Sequence, residues 1–219
     1  MNAIVVVDQK WAIGREGGLL FSLPTDMKRF RALTLNGTVI LGRKTLDTFP
    51  GGRPLPKRRN IVISHQTDLE IEGAELVGSL EEALEEAGDL EDDHLWVIGG
   101  GSVYTALLSR CRRVYLTKVD AAAPEADTFF PNLDKLPGWE VEHAGEPITE
   151  NGITFSFIEY INRNLQYPAQ KAARRRISGG HVFLLGRRFF PKPALFFPGK
   201  WDIIKQTYPT LKGGAPWRT

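Results

Sequence analysis

The stretch LWVIGGGSVY (residues 95–104) holds the most telling pattern in the chain. A continuous apolar run enters three glycines and leaves into residues spaced for a helix. Such a run fits a strand buried on both faces, the kind found in parallel sheets. The glycines allow positive φ and close approach by another backbone or by a phosphate. The helix start beyond them offers free N–H groups and a positive dipole end. A tight strand-to-helix turn satisfies the same residues without any ligand. The pattern is also not a full G-x-G-x-x-G, because Tyr104 stands at its last place.

Working outward, the same alternation recurs. AIVVV (3–7), TVIL (38–41), NIVIS (60–64), AELV (74–77) and RVYLTKV (113–119) are predicted strands. LPTDMKRFRALT (23–34), RKTLDTF (43–49), LEEALEEAG (80–88) and SVYTALLSR (102–110) are predicted helices, with Ser79 and Glu82 spaced as a capping box. WEVEHAGE (139–146) and ITFSFIEYI (153–161) alternate apolar and polar, which predicts an antiparallel pair. Strands alternating with helices imply an α/β fold, with a mostly parallel sheet and ligands beyond its carboxyl edge.

The 219 residues suffice for one sizeable core with or without an appendage. One cysteine, Cys111, excludes an internal disulfide. MNAIVVVDQK lacks the basic start and long apolar run of a secretory signal, and no run approaches a membrane span, so a cytoplasmic location is expected. The net charge of +2 hides a divide: residues 1–164 carry 17 Lys+Arg and 25 Asp+Glu, a net −8. Residues 165–219 carry 11 Lys+Arg and only Asp202 as an acid, a net +10. The expected organisation is therefore a domain over 1–163 and a basic extension over 164–219 that is not an independent domain. The extension holds a short basic stretch (169–180), prolines, and Phe-Phe-Pro twice, at 189–191 and 196–198.

Four further features could carry chemistry. ILGRKT (40–45) is a second glycine-ended strand, followed by Arg43, Lys44 and Thr45. Cations at a helix start oppose the dipole, and a bound phosphate reverses that penalty; a surface cluster is the alternative. PGGRPLPKRRN (50–60) is a loop with Arg53, Lys57, Arg58 and Arg59, either solvated or a fork for a carboxylate. Asp26, in FSLPTDMKRF (21–30), lies just past a proline and among apolar residues. It is either a helix cap or a desolvated acid able to hold a proton near neutral pH, and spacing leaves both readings open. Finally, His65, His94, His143 and His181 show no metal-ligand spacing, so no metal is expected.

Taken together and in order, VVDQKWAIG (6–14), LPTDMKRF (23–30), VILGRKT (39–45), GRPLPKRRNIVIS (52–64), VIGGGSVY (97–104), YLTKV (115–119) and ADTFFP (126–131) resemble dihydrofolate reductase of the bacterial type. The resemblance spans about residues 2–161. It implies a three-layer α/β fold: a mostly parallel central sheet with an antiparallel C-terminal strand, and helices on both faces. It also implies reduction of 7,8-dihydrofolate to tetrahydrofolate, with hydride going from NADPH to C6 and a proton to N5, and sensitivity to antifolates such as trimethoprim or methotrexate.

By that resemblance Asp26 contacts the pterin and promotes N5 protonation, and Thr117 hydrogen-bonds this acid. Phe21 and Leu19 join the catalytic set at the end of a mobile loop, 14–21. Ile4, Val5, Met27, Phe30, Thr45, Leu55 and Ile98 line the substrate pocket, and Arg58 grips the glutamate α-carboxylate. For NADPH the resemblance implies Val5, Ile13, Gly14, Gly18 and Leu19 near the nicotinamide. Gly42, Arg43, Lys44 and Thr45 receive phosphates, with Arg43 on the 2′-phosphate. Ser64 and His65 line the adenosine side. Ile98, Gly99, Gly100, Gly101, Ser102, Val103 and Tyr104 form the pyrophosphate turn, with a cis Gly-Gly bond.

Phe21 departs from the family's usual tryptophan, keeping its bulk but losing an N–H that holds a water near the pterin. Ser102 departs from the arginine that some members use for the 2′-phosphate. A pyrimidine reductase of riboflavin synthesis shares the architecture and NADPH, but lacks the acid in the LPTD context. A monomer is expected. The +10 extension, rich in aromatics, meets the physical requirement for weak contact with nucleic acid or an anionic surface, though no reader motif is present.

Overall fold

The computed structural model describes residues 1–66, 69–88 and 93–165. The readings for the C-terminal extension, including the basic stretch and the Phe-Phe-Pro repeats, lie outside the described residues.

Strands β1 (Asn2–Val7), β4 (Thr38–Gly42), β5 (Arg59–Ile63), β6 (Glu75–Val77), β7 (Leu95–Gly99) and β8 (Arg113–Val119) pair in parallel. At the far edge, β10 (Trp139–Ala144), β11 (Ile148–Glu150) and β12 (Ile153–Asn162) close the sheet antiparallel. The order is β10-β12-β8-β1-β7-β4-β5-β6, with β11 paired to β12.

Alternation along the strands sends side chains to two layers. On one face, Ile40, Leu95 and Val97 pack with α3 (Leu80–Ala87) and α4 (Gly101–Leu107) through Ala83, Val103, Tyr104 and Leu107. On the other, Val39, Leu41, Trp96 and Ile98 pack with α1 (Pro24–Thr34) and α2 (Arg43–Asp47) through Phe30, Leu33 and Leu46. Helices therefore cover both faces, as the fold expectation requires.

Local signals account for the helix boundaries. Pro24 opens α1, where its missing N–H is not needed. Ser79 caps α3, its Oγ accepting from the Glu82 amide at 3.0 Å. The reciprocal arm of the expected capping box is displaced by one residue, since Glu82 accepts from Gly78 N–H at 2.8 Å.

A second, three-stranded sheet has no counterpart in the sequence reading. It joins β2 (Ala12–Arg15), β3 (Gly18–Leu19) and β9 (Thr128–Phe129) in the order β3-β2-β9. These strands are too short for a period-two pattern to register. They turn most of the expected 14–21 loop into a hairpin tied to β9, with Gly14 paired to both Leu19 and Thr128.

Candidate active site

Asp26 is buried, and its Oδ1 accepts a 2.6 Å hydrogen bond from the Thr117 hydroxyl on β8. Leu23 is the N-cap of α1, and no side chain of the cap residue bonds to the helix start. The capping role falls instead to Glu150 on β11. Its carboxylate accepts from Thr25 N–H at 3.0 Å and from the Thr25 hydroxyl at 2.9 Å. A carboxylate from across the fold thus satisfies the helix start, and Asp26 is left facing the site. Burial pushes its carboxyl above the usual aspartate range, while the Thr117 hydroxyl and the Arg29 charge pull it back.

A second buried acid provides the contrast. Asp8 accepts from the amides of Lys10, Ala12 and Ala123 at 2.7, 2.8 and 2.9 Å. That carboxylate is consumed in pinning a turn. Asp26 has one hydroxyl donor and spare lone pairs.

The glycine-ended strands are neighbours, because β4 and β7 pair in parallel with Leu41 opposite Gly99. Their turns are in near contact. A Cβ on Gly100 would lie 3.1 Å from Thr45 Oγ1, and one on Gly42 would lie 3.4 Å from Val103 Cγ2. Gly99 has φ +122°, a conformation L side chains rarely adopt, and the Gly99–Gly100 peptide is cis. A Cβ on Gly101 would come within 2.8 Å of Thr128 Cγ2 and within 3.9 Å of Ile13 Cδ1, so α4 begins tight against the second sheet. Neither α2 nor α4 has a side-chain cap or an acid in its first turn.

On the far side of this edge, Arg43 forms a bidentate pair with Asp47 at 3.0 and 3.1 Å and reaches Gln66 at 3.4 Å. Gln66 N–H donates to the Ser64 hydroxyl at 3.1 Å, so Arg43, Ser64 and the His65 turn share one corner. Lys44 and Ser102 are exposed beside the two helix starts.

The apolar side of the site is built around Ile4, Ile98, Phe30 and Leu55, which share one cluster. Tyr104 donates to the Ile4 carbonyl at 2.6 Å, and burial pushes its hydroxyl pKa up. Val5 is buried in the neighbouring cluster, whereas Met27 is exposed. Arg58 is held by Thr34 Oγ1 at 3.2 Å and by the carbonyls of Pro56 and Arg31 at 2.8 and 3.4 Å. Phe21 packs against the cluster of Leu23, Val119 and Phe155, and Leu19 projects from β3 into solvent.

Three contributors were not singled out from the sequence. Asn60 staples the 55–58 loop, accepting from Leu55 N–H at 3.0 Å and donating to the Leu55 and Arg58 carbonyls at 3.0 and 2.9 Å. Glu150 caps α1 across 125 positions, a pairing no local pattern encodes. Arg29 lies three residues after Asp26, the i,i+3 spacing at which helix side chains meet; that spacing was the signal available. Among the described residues, no group of three or more His, Cys, Asp or Glu is placed to hold a metal ion. None of the described helices is long and apolar enough to cross a membrane.

Paired glycine turns at the carboxyl edge of a parallel sheet, with a buried acid on α1 bonded to a single hydroxyl, fit an α/β enzyme of the nucleotide-binding class. Comparison with known proteins narrows the class. A family model described as dihydrofolate reductase matches residues 1–162, and the chain belongs to that family. It is 40% identical over 151 residues to the dihydrofolate reductase of Mycobacterium tuberculosis, covering 68% of this chain and 89% of that one. It is 33% identical over 166 residues to the Bacillus subtilis enzyme, covering 75% and 95%. Among solved structures, Enterococcus faecalis dihydrofolate reductase complexed with NADP(H) and RAB-propyl superposes with a TM-score of 0.64 at 34% identity, covering 73% of this chain and 94% of that one.

Proposed function

We propose that this site reduces 7,8-dihydrofolate to 5,6,7,8-tetrahydrofolate with NADPH, and that Asp26 promotes protonation of N5. The reading rests chiefly on one observation: a buried carboxylate freed from capping and bonded to a single hydroxyl, Thr117. Burial favours its protonated form, which suits a group that must hold a proton near neutral pH.

The residues present fit the cofactor. The uncapped, acid-free starts of α2 and α4 lie close together, with Gly100 tight against Thr45 of α2 and Gly101 tight against Thr128 of β9. Phosphates would be held there by backbone N–H groups with Lys44, Thr45 and Ser102, and the 2′-phosphate by Arg43 once it exchanges Asp47 for the ligand. When bound, NADPH supplies the hydride that reduces C6. Asp26 orients the pterin through its amino group and ring nitrogen. Ile4, Phe30, Leu55 and Ile98 exclude water around the rings, and Met27, Val5, Phe21 and Leu19 complete the walls. Arg58 receives the glutamate carboxylate, pre-oriented by its carbonyl partners.

The enzyme domain spans 1–163 and works as a cytoplasmic monomer, with 164–219 as an appended extension that contributes at most a weak anionic contact. The family match ends at residue 162, and the last strand among the described residues ends at Asn162, which supports that boundary. Steady-state NADPH oxidation tests the activity. Turnover is expected with dihydrofolate at saturating NADPH. No turnover with dihydrofolate, or preference for the pyrimidine substrate of riboflavin synthesis, would overturn the reading.

A further inference from the structure

Arg29 lies three residues after Asp26 on α1, the spacing at which helix side chains meet, and it does not reach solvent freely. Its side chain is 17% exposed. Nη2 donates to Glu159 Oε1 on β12 at 3.2 Å. The guanidinium carbon sits 4.4 Å from the ring centre of Phe157 and 5.5 Å from that of Tyr115. Nη1 is buried and makes no hydrogen bond among the described residues. A guanidinium with an unsatisfied, desolvated nitrogen is costly, and it persists only where its neighbours hold it in place. Here they are two ring faces and one carboxylate.

We propose that Arg29, clamped by Glu159 between Tyr115 and Phe157, is a positioning residue that fixes a positive charge beside Asp26 and so sets the pH at which the site delivers its proton. The inference deepens the proposed function and rests on it. The groups facing the acid or its arginine come from four elements. Arg29 lies on its own helix, and Thr117, a neutral donor, on β8. Tyr104 on α4 stays un-ionised because burial raises its hydroxyl. Glu159 on β12 acts through Arg29. Tyr115 on β8 is likewise raised by burial and stays neutral. Arg29 is therefore the positive member beside Asp26, and Glu159 is the negative partner that faces Arg29. The arginine stabilises the carboxylate. The glutamate offsets part of that charge, which keeps the acid protonated at higher pH than a lone arginine would allow.

This antagonism gives a test that a merely structural role would not pass. Single-turnover hydride transfer from NADPH to dihydrofolate is followed against pH in the full chain for wild type, Arg29→Met, Arg29→Lys and Glu159→Gln. Transfer falls as pH rises through the midpoint of the acid. Arg29→Met is expected to move that midpoint up by about one pH unit, Glu159→Gln to move it down, and Arg29→Lys to restore most of the wild-type value. Midpoints that stay together, or that move the same way in Arg29→Met and Glu159→Gln, would overturn the inference. If Arg29→Met does not fold, the direction of the Glu159→Gln shift decides alone. Wild type separates the two claims: absence of any dihydrofolate-dependent transfer refutes the proposed function, whereas a titrating wild type with unmoved variants refutes only the role of Arg29.

Discussion

At the scale of single residues, two buried aspartates of the same chain are set to different tasks by their donors. Asp8 accepts from three backbone amides and pins a turn. Asp26 has one hydroxyl donor in a dry environment, and burial raises its pKa. The linkage has a definite sign. Between the ordinary aspartate range and the raised folded value, the folded state binds more protons than the unfolded chain, so stability falls as pH rises through that window. Asp26→Asn removes the ionisable group and keeps an oxygen that can accept from Thr117. It is expected to raise the unfolding free energy at pH 7, with the gain vanishing below the ordinary aspartate range; urea denaturation at the two pH values measures it. No gain at pH 7 would mean that the carboxylate is better solvated than its burial implies. Asp26 stood out in the sequence because it lies just past Pro24 among Phe21, Leu23, Met27 and Phe30, where a helix cap and a desolvated acid were both open readings. Whether it capped the helix was not legible, because the answer lies in Glu150, 125 positions away.

At the scale of elements, the site is a set of edges held in register by neighbours. Helix α1 carries Asp26 and is fixed at its start by Glu150 from β11. Glu150→Ala should cost about 1 kcal/mol, read as a lower urea midpoint at unchanged slope. A change within error would show that water replaces the cap at no loss. Helix α4 begins at Gly101, where a Cβ would meet Thr128 Cγ2 at 2.8 Å. Gly101→Ala should therefore displace the helix start and weaken NADPH binding by about tenfold or more, equal to about 1.4 kcal/mol. Adding Thr128→Ser removes the opposing methyl and should recover part of the loss. Titration by protein fluorescence quenching checks both, and a double variant as weak as the single one would place the strain elsewhere. The main strands and helices were readable because their apolar runs are long enough to show a period. The β2-β3-β9 sheet was not, since strands of two to four residues show none, and β9 lies more than a hundred positions from β2.

At the scale of the whole molecule, the parallel order β8-β1-β7-β4-β5-β6 brings the carboxyl ends of these strands to one edge, and the strands that close the sheet supply Glu150 and Glu159 from behind. Every strand of the described residues ends by Asn162, and the family match ends at 162. A chain of residues 1–165 is therefore expected to keep the reductase rate and thermal midpoint of the full protein. Loss of folding on truncation would make the basic extension part of the structure. The candidate site was read from seven short motifs, six of which couple a chemical residue to a glycine or proline that fixes the backbone around it; the seventh, YLTKV, carries Thr117 on a strand. Of the charges behind the acid, Arg29 lies inside LPTDMKRF without being singled out there, and Glu159 belongs to no such motif. The most direct test of the account is the pH dependence of hydride transfer in Asp26→Asn with saturating NADPH and dihydrofolate. The account predicts a loss of about 10²- to 10⁴-fold at pH 7, with partial recovery at low pH, where N5 takes its proton from solvent. An Asp26→Asn enzyme as fast as wild type at pH 7 would contradict it.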